Sequence, residues 1–271
     1  GNAAADQLQL DTYGEVVDGV FEYVQRGGQL DRTTTRLLRD LGETVCRRWR
    51  EPDDGIWEIR SGPQHHTYSK AMCWVTLDRL IRLHQKGHVA GPVDRFQVER
   101  DAIRAAVEAK GYNERLRSYV SVFGGQDVDA SLLLLGRFGY VEPTAPRMRA
   151  TADRIRAELT VNDLVFRYLG PDGRPNEGAF GITSFWAVDC RARQGDVDGA
   201  TSAFTRLCGM ANDVGLFAEE IDPATGEHLG NFPQAFTHVG LIDAALTLAE
   251  ARGRPVPRAT MTTTPGVGSA R

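Results

Sequence analysis

The stretch EPDDGIWEIRSGPQHHTYSKAMCWVTLDR, residues 51–79, decides how the rest of the chain is read. Its first half carries the carboxylates Glu51, Asp53, Asp54 and Glu58 among the turn formers Pro52, Gly55, Gly62 and Pro63, so local turns set the backbone there. Its second half predicts a helix from about Thr67. Three rows of that helix, Ala71/Trp74/Ile81, Met72/Val75 and Cys73/Leu77/Leu80, point in different directions and all are apolar. A helix apolar all round is buried all round. An acidic, aromatic-bearing loop that feeds a buried helix is where a scaffold displays working groups. Trp57 beside Glu58 is the most informative pair: an indole face holds a sugar ring or an apolar ligand while the neighbouring carboxyl does proton chemistry.

Toward the N-terminus, the rows Val16/Val20/Val24 and Val17/Phe21/Val24 predict an amphipathic helix over 10–26, stopped by Gly27 and Gly28. A second helix is expected over 30–50, with Leu30, Leu37, Leu41 and Val45 inward and Arg47, Arg48 and Arg50 near its C-terminal end, where cations complement the dipole. Toward the C-terminus, a helix over 93–110 turns Phe96, Ile103 and Val107 inward, and Asp127 or Asp129 caps the short apolar helix SLLLLGRF. An amphipathic helix over 146–159 precedes a long loop over 160–180, whose length and Gly/Pro content point to function. Residues 180–193 read as a second helix apolar on several faces, and 196–211 carry one stripe, Val197, Ala200, Phe204, Leu207 and Ala211. The last helix is expected to face inward through Ala235, Val239, Ile242, Leu246 and Ala249. No segment shows the alternation of a strand. Helices buried all round thus alternate with single-stripe helices, the pattern of an inner ring wrapped by an outer one, and the fold class is all-α.

Composition narrows function. With 271 residues the chain has room for one large core or two modest ones, and 41% hydrophobic and 25% charged residues are ordinary for a soluble globular protein. A net charge of -4 lacks the basic footprint that a nucleic-acid or anionic-membrane partner requires. No apolar run reaches bilayer-spanning length, and residues 1–12 do not read as a secretory signal. Cys46, Cys73, Cys190 and Cys208 are far apart and fit no zinc spacing. They read as small buried hydrophobes, and reduced thiols lead us to expect a cytoplasmic protein. No cofactor is expected, and no spacing among the six histidines matches a metal site.

With both acidic loops in view, several motifs are similar to bacterial members of glycoside hydrolase family 15, the glucoamylase-like and trehalase-like enzymes. They are DGIWEIR at 54–60, SKAMCWVTLDR at 69–79, EGAFGITSFW at 177–186 and GLFAEEIDPATGEHLGNFPQAFTH at 215–238, supported by GNAAADQLQLDTYGE at 1–15 and DASLLLL at 129–135. The resemblance runs in the family's order over residues 1 to about 252. It implies a toroid of six α-helical hairpins, of which this chain resembles the C-terminal part, 1–252; residues 253–271 are expected to be a disordered tail. In the family, GNAAADQLQLD lies inside the catalytic domain, behind a β-sandwich and early helices that bring an Arg-Asp pair to the terminal glucose, so the expected toroid is incomplete.

The resemblance further implies hydrolysis of an α-glucosidic bond with inversion. Glu58 aligns with the family's general acid and Glu219 with its general base, with Glu220 the competing assignment for the base. Inversion needs one protonated carboxyl and one carboxylate facing a shared cavity with room for a water, and partial burial by Trp57 is expected to keep Glu58 protonated. Arg167 with Tyr168 resembles the family's Arg-Tyr pair that binds sugar hydroxyls. Asp53 and Arg60 flank the acid, where orienting it, binding sugar and forming a loop salt bridge are all open. His65, His66, Tyr68 and Lys70 precede the buried helix, with His66 and Lys70 the favoured pocket-lining residues. Gln7, Gln9 and Asp11 share one side of the N-terminal segment, where hydrogen bonding to substrate and helix capping are both open, with Gln9 and Asp11 the ones expected near substrate. The expected partner is a small α-glucoside: a short glucan cut from its non-reducing end first, trehalose second. A truncated, non-catalytic sugar-binding or scaffold fragment is the competing class.

Overall fold

The computed structural model describes residues 5–58, 62–175 and 177–254. The expected tail from 255 onward, and Arg60, lie outside the described residues. The helices are α1 (Asp11–Gln25), α2 (Arg32–Arg48), α3 (Thr67–Gln85), α4 (Val93–Lys110), α5 (Leu134–Arg137), entered through a 3-10 turn at Ala130–Leu133, α6 (Pro146–Leu159), α7 (Gly181–Arg193), α8 (Val197–Cys208) and α9 (Ala235–Ala251). α3 is the centre of the larger core. Sixteen of its nineteen residues are buried, and it packs between α1 and α4. α7 packs between α8 and α9 and carries a second apolar cluster built on Phe185, Val188, Leu207 and Phe217. The outer helices bury one stripe each: Leu38, Gly42, Val45 and Cys46 on α2, Phe96, Ile103 and Val107 on α4, and Ala200, Ala203 and Leu207 on α8.

Caps set the helix starts where the sequence supplies them. Asp31 accepts from the Thr34 amide at 2.7 Å, Asp129 from Ser131 at 2.8 Å and Asp196 from Gly199 at 3.0 Å, each satisfying an otherwise unpaired helical N–H.

Two helix faces differ from the sequence reading. On α2 Val45 faces inward as expected, but the buried face is rotated so that Leu37 is exposed and Leu38 is buried. On α9 the reversal is larger. Val239, Ile242 and Leu246 face outward together with Phe236, while Thr237, Gly240, Ala244, Thr247 and Leu248 are buried. The cause is close approach to α7: a Cβ on Gly181 would lie 2.5 Å from Thr237 Cγ2, and one on Gly240 would lie 3.1 Å from Ile182 Cγ1. Small side chains permit this spacing, so dispersion contact with α7 selects the small face over the greasy one.

Short strands also appear where none was expected: β1 (Tyr112–Asn113) with β2 (Ser118–Tyr119), β3 (Thr160–Val161) with β4 (Leu164–Val165), and a three-stranded antiparallel sheet in the order β5 (Ala179–Phe180), β6 (Glu220–Ile221), β7 (His228–Leu229). Each is two residues long, too short to carry a period-2 signal. The three-stranded sheet matters for function because it pairs Phe180 with Glu220.

Candidate active site

The Glu51 loop is fixed from three sides. Asp53 and Gln64 exchange backbone hydrogen bonds at 2.8 Å, closing the loop across its base. The Asp53 carboxylate accepts from the Leu10 amide at 3.2 Å and the Gly55 amide at 3.3 Å and lies 3.4 Å from Lys70 Nζ, which donates to the Glu51 carbonyl at 2.5 Å. Asp54 holds Leu8 twice, its Oδ2 accepting from the Leu8 amide and its own amide donating to the Leu8 carbonyl, both at 2.8 Å. Asp53 and Lys70 were expected to meet substrate, yet both side chains are almost wholly buried. A buried pair satisfied by surrounding backbone fixes geometry, and here it joins the loop, the segment before α1 and the first turn of α3.

The loop then turns through Gly55, at φ 67°, where a Cβ would lie 2.8 Å from the His66 ring. His66, an expected pocket residue, is buried beneath this turn. Glu58 ends the turn with its amide 3.4 Å from the Gly55 carbonyl and with φ 52°. A non-glycine residue in the left-handed region is strained, and such strain concentrates at functional positions. Glu58 is exposed, and its Oε1 accepts from Gln9 Nε2 at 3.4 Å. The burial expected from Trp57 is absent because the indole turns inward, meeting Phe180 edge-on at 6.2 Å and Trp186 at 5.9 Å. Trp57 is therefore 9% exposed and offers little open face to a ligand. Its contacts anchor the loop that presents Glu58.

Asp11, at the start of α1, is buried, and its carboxyl is pushed up to about 7. Burial is the main cause; the charges of Glu15 and Asp53 add to it, while the Asp11 and Thr12 backbone N–H groups oppose it. The Glu15 carboxyl is also raised by burial and accepts from Tyr68 Oη at 3.2 Å.

The second acidic loop arrives through the three-stranded sheet. The Glu219 carbonyl accepts from the Gly181 amide at 2.8 Å, at the start of α7, and its amide donates to the Asn231 carbonyl at 2.9 Å. Its carboxylate is clamped by Asn231 through the backbone N at 3.1 Å and Nδ2 at 2.7 Å. Gly230, at φ 72°, permits this, since a Cβ there would lie 2.9 Å from Glu219 Oε2. Glu220 Oε2 accepts from the Gly178 amide at 3.0 Å, and its carboxyl is raised by burial first and by the Glu177 charge second. Arg167 donates through Nε and Nη2 to the two carboxylate oxygens of Glu177. Its guanidinium stands 4.8 Å from the Phe180 ring centroid, 5.8 Å from that of Trp57 and 5.9 Å from that of Tyr168.

The contacts Glu58–Trp57–Phe180–Glu220–Glu219 thus run without a break between the two acidic loops, with Arg167 packed against their aromatic middle. Glu177, and Phe180 and Trp186 as the seat of Trp57, were missed by sequence reasoning. EGAFGITSFW was singled out as a motif, but its first residue was not weighed as the partner of an arginine ten positions earlier. Among the described residues no group of three or more His, Cys, Asp or Glu side chains is arranged to hold a metal ion, and no helix is long and apolar enough to cross a membrane.

The family model described as glycosyl hydrolases family 15 matches residues 1–207 and 194–246. The chain is 38% identical over 255 residues to a trehalase of Mycobacterium tuberculosis (strain ATCC 25618 / H37Rv), covering 93% of this chain and 37% of the relative. It is 35% identical over 253 residues to a trehalase of Thermoplasma acidophilum, covering 93% and 44%. It therefore spans less than half the length of these curated relatives. Among solved structures it superposes on a wild-type glycosidase with a TM-score of 0.76 at 20% identity, covering 92% of this chain and 68% of that one. On a bacterial glucoamylase complexed with acarbose the TM-score is 0.71 at 13% identity, covering 92% and 41%. These likenesses establish the all-α toroid fold, and the family match over most of its length establishes that the chain belongs to glycosyl hydrolases family 15.

Proposed function

We propose that this chain carries the acid and the base for hydrolysis of an α-glucosidic bond with inversion, with trehalose as the substrate. Glu58 donates its proton to the glycosidic oxygen as the bond from the anomeric carbon breaks. The Glu219 carboxylate takes a proton from a water whose oxygen bonds to that carbon from the opposite face. The carboxyls of such a pair stand about 6.5–9.5 Å apart. The observation that carries the reading is the aromatic bridge between the two acidic loops, in which Trp57, next to Glu58 of the first loop, packs against Phe180, paired with Glu220 of the second.

Other features support the roles. The Asn231 clamp holds the Glu219 carboxylate by donors alone, which fixes its orientation. Glu58 is at the surface on a strained residue, reachable by a leaving-group oxygen. Arg167, Gln9 and the flanking Arg60 are the residues assigned to sugar binding; Asp11, expected near substrate, is buried at the start of α1, and like Asp53, Lys70 and His66 it acts through the segments it supports. The sequence reading ranked short glucans first; the trehalases among the relatives move trehalose ahead and leave maltose as the second substrate.

The test is incubation of the chain with trehalose, maltose and isomaltose, followed by proton NMR of the anomeric products. Early accumulation of β-glucose, lost in Glu58→Gln and in Glu219→Gln, is expected. Sugar binding without turnover would instead support the non-catalytic fragment, and α-glucose released from trehalose without an equal share of β-glucose would exclude inversion.

A further inference from the structure

Glu177 lies on the loop before β5, and the described contacts give its carboxylate two neighbours of opposite sign. Arg167 grips it with Nε and Nη2 in the planar, two-pronged geometry of a guanidinium–carboxylate pair. The very next residue, Gly178, donates its amide to Glu220 Oε2 at 3.0 Å. A side chain at 178 has no room, because a Cβ would lie 3.1 Å from Glu220 Cβ and 3.0 Å from Leu229 Cδ1. The backbone is thereby held with Glu177 paired to Arg167 and the residue after it bonded to Glu220. Arg167 is only about one-fifth exposed, and burial weakens its hold on its proton while Glu177 strengthens it. Without Glu177 the guanidinium would keep the rings of Phe180, Trp57 and Tyr168 as neighbours but lose the donor–acceptor pair that fixes its plane.

The geometry points to Glu177 as a positioning residue of the hydrolytic site: it sets the plane of the Arg167 guanidinium for sugar hydroxyls and places a fixed negative charge beside the Glu219–Glu220 pair. This deepens the proposed function and rests on it. The charge has a direction of effect. A like charge nearby disfavours ionisation, and Glu177 is the second largest influence raising the Glu220 carboxyl. Removing it makes that end of the site easier to ionise. It also releases Arg167, whose fork then samples orientations that meet one sugar hydroxyl or none. A salt bridge that only stabilised the loop would change melting temperature and leave both of those readouts alone.

The experiment compares the unmutated chain with Glu177→Gln, Glu177→Asp and Arg167→Lys by steady-state hydrolysis of trehalose against pH, by thermal melting, and by carboxyl-carbon NMR titration of Glu220. Glu177→Gln is expected to raise KM roughly tenfold, the scale of a lost charged hydrogen bond, with a smaller change in kcat. The Glu220 titration moves to lower pH. Glu177→Asp, which keeps the charge, restores that titration more than KM. An active chain whose KM and Glu220 titration are unmoved in Glu177→Gln overturns the inference. If the unmutated chain does not hydrolyse sugar, the functional reading fails instead. The Glu220 titration then still decides the charge effect, and an unmoved or upward titration in Glu177→Gln overturns it.

Discussion

Trp57 meets Phe180 with ring centroids 6.2 Å apart and planes at 86°, an edge-to-face contact between residues more than a hundred positions apart. It is the packing link between the loop that ends in Glu58 and the sheet that carries Glu220. Edge-to-face pairs of this kind add about 0.5–1.5 kcal/mol beyond the area they bury. Trp57→Ala is therefore expected to cost about 3–5 kcal/mol in denaturant unfolding, the range for deleting a buried aromatic. Phe180→Leu, which keeps most of the volume, should cost less. Hydrolysis should fall further than stability in Trp57→Ala, because Glu58 loses its anchor. A loss of stability no larger than that of an ordinary surface substitution would mean the loop is held elsewhere.

Glu58 combines exposure with a φ of 52°, so function and stability oppose each other at this position. Strain of this kind costs of order 1–3 kcal/mol, part of which glycine would recover against its larger unfolded-state entropy. Glu58→Gly should raise stability by about 1 kcal/mol while abolishing glucose release. Glu58→Gln should lose activity by roughly 10²–10⁴-fold, the usual contribution of a general acid or base, with an unchanged melting temperature. Melting curves and a coupled glucose assay on both variants check the pair of expectations. A Glu58→Gly chain less stable than the parent would show that its side chain holds the turn.

How far the sequence showed all this depended on what each feature rests on. The α3 stretch was legible because burial on every face leaves an unmistakable run of apolar residues, and the motif matches singled out the two acidic loops. Lys70 and Asp53 were legible as neighbours of Glu58 in the chain but not as a buried pair, because a lysine reads as exposed until the backbone carbonyl that receives it is known. The α9 face was misread for a related reason. Periodicity marks which residues are apolar, whereas the α7–α9 contact is decided by which are small. Glu177 was hidden because its pairing with Arg167, and the bond from its neighbour Gly178 to Glu220, join residues that are not near neighbours in sequence, and neither leaves a local pattern.

Asp11 predicts a pH dependence whose sign follows from its raised carboxyl. The folded chain holds this proton up to about pH 7, whereas the ordinary value is 3.8. The stabilising contribution is therefore complete below about pH 4 and is lost progressively as pH rises toward 7, amounting to something on the order of 4 kcal/mol. Asp11→Asn keeps the shape and cannot ionise. Its melting temperature should stay close to the parent at pH 4 and exceed it at pH 8, and the slope between should flatten. Parallel melting curves for parent and variant across that range would show that Asp11 is not the group responsible.

The two faces of α9 make the last prediction. Ile242 is 54% exposed and Ala244 is wholly buried, although both are apolar residues on the same helix. If small residues set the approach to α7, enlarging the buried one must force the helices apart. Overpacking of this kind costs typically 1–3 kcal/mol, whereas a surface substitution stays within about 0.5 kcal/mol. Ala244→Leu should therefore lower the denaturation midpoint markedly and Ile242→Gln hardly at all, the reverse of the order that hydrophobic periodicity implies. Ile242→Gln should also reduce self-association at high concentration, since Phe236, Val239, Ile242 and Leu246 form one exposed apolar stripe and such stripes drive association. Sedimentation of parent and variant reads the second effect separately from stability, so a stable Ile242→Gln chain that associates as strongly as the parent would assign any association to another surface.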